Sequence, residues 1–403
     1  MIIGSMEKRV EINMKVQKRL ITAFIIMVLV LITGCAEQNN GAEAIAPNAA
    51  SKMIDNLESY VTPDNIGKYD FTERAMAYLE HLGTGNNSRE AVREWIVSEL
   101  KSAGYSEKQI TLESFKDSML DDDGTNVILT VAGEDPSRQI IAGAHYDGEG
   151  VGDNGSGIAL LLANAVGLQG VRPHYTTKYI FFDREEDGCI GSRYNADQMT
   201  EEEIDSTIYM INLDSLAFGD YCNIYGGSFG DSGMEIAVDQ LEAPQDTEAY
   251  SFAADTAQNL GFNVMRTADL DGYFAEHGTG PDIRDNTLYT NPWTPENPAP
   301  ANNSAMSPAT IPASDHIGYM DLGIEYIYFE ATNWFAESGN DEVEGTSFTG
   351  YIETYDYSLG DHGMFMNTEY DTWKNLNEYF PGRAQKHFEI YSPLLSALLL
   401  VSE

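Results

Sequence analysis

Basic residues are scarce in this chain: Lys and Arg number 23 against 64 Asp and Glu, leaving a formal net charge of −41 over 403 residues. A surface that acidic repels phosphate backbones, so no nucleic-acid partner is expected. Cysteine is scarcer still, at three: Cys35, Cys189 and Cys222. Only the last two fall in the body of the chain, and spacing alone cannot establish disulfide geometry. Two free, partly buried thiols are the expectation. Seven histidines (His81, His145, His174, His277, His316, His362 and His387) limit which positions can supply an imidazole. An apolar run at residues 20–32 is too short for a comfortable membrane span. What is plentiful is core-forming material. Hydrophobic residues make up 42% and aromatics 11%, enough for one large α/β domain of this length.

The apolar run follows Lys15, Lys18 and Arg19 and ends in Ile32-Thr33-Gly34-Cys35. A basic start, a short apolar stretch and small residues before a cut site describe a secretory signal over residues 1–34. The cysteine after Gly34 resembles the lipobox of bacterial lipoproteins, which implies a lipid-modified Cys35 and an extracytoplasmic protein held on the bacterial membrane. A small, polar stretch follows, and residues 35–66 are expected to form a flexible tether.

From residue 67 to 403 the pattern is that of one domain. Phe71, Met76 and Leu79 recur at roughly helical spacing. Ser88 is a candidate N-cap for a helix with the apolar stripe Val92, Trp95, Ile96 and Leu100, closed by Gly104. Residues 109–115, 126–131, 139–144, 177–182, 208–213 and 324–329 read as strands, 155–167 as a helix, and 393–401 as a terminal apolar helix. Short apolar strands alternating with helices imply a three-layer α/β sandwich, its central sheet mostly parallel but mixed and covered on both faces. Residues 266–313 and 332–366 lack regular patterning and read as irregular insertions.

Three of the apolar strands run straight into polar clusters: His145-Tyr146-Asp147, Glu185-Glu186, and Asp214. Carboxyl ends of neighbouring strands in such a sheet converge on one crevice. A fourth cluster, Gly152-Asp153-Asn154-Gly155-Ser156-Gly157, precedes a helix and therefore faces the same edge. One imidazole among several carboxylates suits zinc. In the Glu185-Glu186 pair, one carboxylate can hold metal while its neighbour takes a proton from activated water.

Gly143-Ala144-His145-Tyr146-Asp147, the Asp153 cluster, Phe182-Asp183-Arg184-Glu185-Glu186-Asp187-Gly188 with Gly191-Ser192, Ile211-Asn212-Leu213-Asp214 and Ser314-Asp315-His316 together resemble the co-catalytic zinc aminopeptidases. These form family 28 of the metallopeptidases, which also holds the glutamate carboxypeptidase type and related glutaminyl cyclases. The resemblance runs from about residue 70 to 380 and implies a zinc exopeptidase-like fold and hydrolysis of peptides. It implies His145 and Asp214 on one zinc, Asp153 as a bridge, Glu186 on a second zinc, and Glu185 as general base. A histidine is expected four residues before Asp371-Thr372, but that position is Asn367. An amide oxygen is a weak ligand, which implies one tight zinc and a second weak one, unless His316 or His362 substitutes. Two other readings stay open. One is a catalytically impaired peptide-binding lipoprotein. The other is N-terminal glutamine cyclisation, which by the same resemblance needs Asp153, Glu186 and the residue at 367.

Overall fold

The computed structural model describes residues 54, 56–85, 88–117, 123–148, 150–227, 248–266, 287–290, 314–332, 353–354, 356 and 358–403. The signal at 1–34, Cys35, His277 and most of the two irregular stretches lie outside them. In chain order the elements begin with β1 (Glu58–Ser59), α1 (Thr72–Thr84) and α2 (Arg89–Ala103). There follow β2 (Ile110–Phe115), β3 (Gly124–Val131), β4 (Asp135–His145) and α3 (Gly155–Gly167). Next come β5 (Tyr175–Phe182), α4 (Ile190–Asp197), α5 (Glu201–Ser206), β6 (Thr207–Leu213) and β7 (Cys222–Gly227). The remainder are α6 (Glu248–Asn259), β8 (Asn263–Arg266), β9 (Thr287–Thr290), α7 (Ile317–Met320), β10 (Tyr326–Glu330), α8 (Trp373–Tyr379), α9 (Arg383–Leu399) and β11 (Val401–Ser402).

Among the described residues, nine strands form one sheet in the order β2-β3-β5-β4-β6-β10-β7-β9-β8. Its centre is parallel, with β4 flanked by β5 and β6 and β6 by β10. The pairings β2–β3, β3–β5 and β10–β7 are antiparallel. The expected mixed, mostly parallel sheet is therefore present. Its strands are apolar on both faces because both are covered. Along β4, Ile140, Ala142 and Ala144 enter the larger core while Ile141 enters a second one. On β5 the same alternation sends Tyr179 and Phe181 one way and Ile180 and Phe182 the other. The larger core is closed by α1, α2, α3 and α9, and α4 and α7 pack together over the second.

Local signals explain the helix ends. Ser88 Oγ accepts from the Ala91 N–H at α2, and Gly104 ends that helix at φ +110°, a conformation that suits glycine. Asn154 caps α3 through its Oδ1, which accepts from the Gly157 N–H at 2.9 Å.

Several expectations need correction. The tether ends before residue 66, since Leu57 and Val61 are buried and β1 pairs with β11. The terminal helix does not start at Pro393. It begins at Arg383 and carries Pro393 inside it, where buried Leu394, Leu395 and Leu398 outweigh one missing N–H. Thr287–Thr290 interrupts the first irregular stretch as a strand between β7 and β8. The helix α6 and strand β7 carried no sequence expectation. His387 is buried with its Nδ1–H donating to the Leu216 carbonyl at 2.7 Å.

Candidate metal centre

His145 is the last residue of β4 and is 1% exposed. Its Nε2 lies 3.2 Å from Asp153 Oδ1, 3.3 Å from Asp214 Oδ1 and 3.8 Å from Glu185 Oε2. Asp214 directly follows β6, the neighbour of β4, and its backbone N–H donates to the Phe329 carbonyl of β10. Glu185 and Glu186 follow β5 on the other side of β4. The parallel register thus delivers His145, Asp214 and the Glu pair to one sheet edge, as the strand exits imply.

Asp153 arrives from the loop before α3. Asn154 ties that loop down twice, through its helix cap and through Nδ2–H donating to the Leu213 carbonyl at 2.9 Å. Gly157 must be glycine here, because a Cβ would lie 2.4 Å from Asn154 Oδ1 and 2.5 Å from the Leu213 carbonyl. Asp371, 219 residues away from Gly152, accepts from the Gly152 and Asp153 N–H groups at 2.7 and 2.9 Å. Asn367 also reaches the cluster, its Nδ2–H donating to Asp153 Oδ2 at 3.4 Å. Its segment is held by Glu353, whose carboxylate accepts from the Phe365 and Met366 N–H groups, both at 2.8 Å.

Two sets of ligand atoms could each hold one ion: His145 with Asp153 and Asp214, and His145 with Glu185 and Glu186. The first is the expected first site. The second groups Glu186 with His145 rather than with Asp153. Neither His316 nor His362 joins a set among the described residues. His316 is fully buried and stacked on Tyr326 at 4.4 Å, whereas the His362 side chain is 61% exposed beside Asp361.

The donor set fits a divalent cation. An imidazole nitrogen carries one proton or one lone pair and cannot serve two carboxylates well as a hydrogen-bond donor. Three donors converging on a tetrahedral zinc at its usual bond lengths stand about 3.3 Å apart. The Nε2 separations from Asp153 and Asp214 match that spacing. Charge argues the same way. The recorded ion pairs of Asp153, Glu185 and Asp214 are to His145, and none is to Lys or Arg among the described residues. Burial raises Glu185 well above the usual carboxylate range. Burial alone would lower His145, but Asp214 and Glu185 outweigh it and hold the imidazole well above its ordinary value. A bound cation relieves this crowding and competes with the proton on His145.

Sequence reading assigned no role to several residues that shape the site. Asp147 Oδ1 lies 3.4 Å from His145 Nδ1, and its carboxylate accepts from the Glu185 and Glu186 N–H groups at 3.1 and 3.2 Å. Ser314 Oγ–H donates to Asp214 Oδ2 at 2.7 Å and accepts from Asn212 Nδ2–H. Asp147 was findable from its place two residues after His145 at a strand exit. Ser314 lay in a motif already quoted, and the partnership of Asp371 with Gly152 had no local signal.

Residues 126–267 match the sequence model of peptidase family M28, a shorter stretch than the motifs span. Over 154 residues the chain is 30% identical to an aminopeptidase of Pseudomonas aeruginosa, covering 37% of this chain and 28% of that protein. Over 98 residues it is 36% identical to the probable lipoprotein aminopeptidase LpqL of Mycobacterium tuberculosis, covering 23% and 19%. The chain spans less than a third of the length of these curated relatives. A Zn-dependent exopeptidase from Parabacteroides distasonis superposes with TM-score 0.49 at 14% identity, over 82% of this chain and 97% of that one. Residues 126–267 are thus similar to the family that the motifs resemble.

Proposed function

We propose that this chain, carrying peptidase family M28 sequence, is a zinc-dependent exopeptidase of aminopeptidase type, anchored by lipid at Cys35 and hydrolysing peptides outside the cell. The observation that carries the reading is the convergence of Asp153 and Asp214 on one nitrogen of His145 at zinc-like spacing, with Glu185 alongside. His145, Asp153 and Asp214 would hold one zinc tightly. Glu186 belongs to a second, weaker position at which Asn367 offers a neutral oxygen at best. Zinc supplies a Lewis acid that polarises a peptide carbonyl and makes water easier to deprotonate.

The chain's own residues do the rest. Glu185 takes the proton from the attacking water and returns it to the leaving amine. Asp147 orients the His145 ring and, through the backbone N–H groups of 185 and 186, fixes the turn that carries both carboxylates. Asp371 and Ser314 aim Asp153 and Asp214 in the same way. Exported location and membrane attachment rest on the Ile32-Thr33-Gly34-Cys35 site and on likeness to a protein named a lipoprotein aminopeptidase. No helix among the described residues is long and apolar enough to cross a membrane.

The test is a metal count per chain beside hydrolysis of aminoacyl-nitroanilides and a peptide library. One tightly held zinc with release of N-terminal residues is expected. Asn367 also favours a second reading, a peptide-binding lipoprotein without turnover, and a zinc-loaded chain that binds peptides but cleaves none would establish that reading instead.

A further inference from the structure

Cys189 sits where the turn carrying Glu185 and Glu186 enters α4. Its backbone N–H donates to the Glu185 carbonyl at 2.7 Å, and its Sγ–H donates to Glu185 Oε1 at 3.3 Å. The thiol is buried and in no disulfide. Residue 189 has φ +58° and ψ +33°, the left-handed region that residues other than Gly, Asn, Asp and His rarely occupy. A glycine would suit that backbone better and would leave Glu185 Oε1 without this partner. An ordinary thiol is protonated at neutral pH, so the buried Cys189 remains S–H and acts as a donor.

The two oxygens of Glu185 therefore differ. Oε1 faces the Cys189 thiol, while Oε2 faces His145 Nε2 at 3.8 Å. A carboxylate that abstracts a proton must present one oxygen along a defined direction, and a side chain with three rotatable bonds does not hold that direction unaided. Asp147 fixes the backbone at 185 but does not touch the carboxylate through any recorded bond. Among the described residues, the thiol is the group hydrogen-bonded to it.

We propose that Cys189 is a positioning residue for Glu185: its S–H holds Oε1 so that Oε2 is the oxygen presented to the reacting water. The inference rests on Glu185 being the proton acceptor proposed above. It assigns Cys189 no contact with substrate or metal. It follows that thiol modification at 189 lowers turnover without releasing zinc.

Full-length, zinc-loaded protein is compared with Cys189→Ala, Cys189→Ser and Cys189→Gly. Losing one neutral, weak donor lowers kcat roughly three- to tenfold, with KM and zinc content unchanged. Serine keeps a hydroxyl donor and should recover most of the loss. Glycine relieves the left-handed backbone yet lacks the donor, so it should lose kcat as alanine does. Wild-type kcat in both the alanine and glycine variants overturns the proposal, as does a loss that follows melting temperature rather than the presence of a donor. A separate readout needs no turnover. The infrared S–H stretch that disappears in Cys189→Ala should move in Glu185→Ala, and an unmoved band overturns the proposal. If the unmutated chain cleaves nothing, the catalytic reading fails on its own, and the band still decides whether the thiol holds Glu185.

Discussion

Replacing Asn367 by His would add an imidazole at the proposed second zinc position, and the structure sets the expected size of the effect. Asn367 lies beside Asp153, with Nδ2 3.4 Å from Oδ2, so a side chain at 367 reaches the cluster. Its backbone has φ +57°, a conformation in which Asn and His are both enriched, so the exchange carries little backbone cost. A structural zinc site with four ligands is worth about 10–16 kcal/mol, or roughly 3 kcal/mol per ligand. At about 1.4 kcal/mol per decade, one recovered imidazole tightens the second zinc by about two orders of magnitude. Calorimetric zinc titration of the metal-free protein should show one tight and one weak event before the substitution. Afterwards it should show two tight ones, with higher activity at limiting zinc. Two tight events in the unaltered chain would refute the reasoning, because some other ligand would then complete the site.

Glu185→Gln should lower turnover at least about a hundredfold while zinc content stays constant, since an amide cannot accept the proton; near-normal rates would remove Glu185 from its role. Cys35→Ala should abolish partition into detergent or block maturation, as measured by phase separation and mass spectrometry, and equal membrane retention would count against lipidation. His387 is pushed down to about 4 by burial, so its folded value lies below the unfolded value near 6.5. Its neutral form is the one folded into the core. The stability it permits is fully present above about pH 6.5 and is lost as pH falls towards 4, about 3 kcal/mol across that window. Urea unfolding of the protein and of His387→Phe at pH 7 and pH 4.5 checks this, since the variant should lack that part of the slope.

The strands that carry the site were legible because each is a short apolar run interrupted by an ionisable residue, as at Ala144-His145, Phe182-Asp183 and Leu213-Asp214. Covered on both faces, such a strand has no reason to end in a carboxylate or imidazole unless a crevice lies beyond it. Elements at the sheet's far side were harder. Thr287–Thr290 is four residues long within an Asn- and Pro-rich stretch, and only pairing with β7 and β8 makes it a strand. The start of α9 was misplaced because Pro393 looks like a helix beginning, whereas packing against the core carries the helix through it. The burial of His387 was not legible either, because one imidazole in a long apolar helix does not reveal which way the helix faces.

Least legible was the support beneath the ligands, and it bears on what Asn367 does there. Asp371 is pushed up to about 7 and Glu353 to about 8 by burial, yet each accepts two backbone N–H groups, which favour the charged form. Burying two carboxylates to hold the backbone at residues 152–153 and 365–366 is costly as mere packing. It is intelligible as a means of keeping two loops, more than 200 residues apart, at fixed separation across the cluster. Within that frame the Asn367 amide donates to Asp153 Oδ2 while Oδ1 faces His145. An N–H on the outer oxygen can take the place that a second cation would fill, leaving Asp153 aimed at the first. The Asn367 amide therefore helps hold Asp153 in place beside His145, which fits the proposed centre of one tight and one weak zinc.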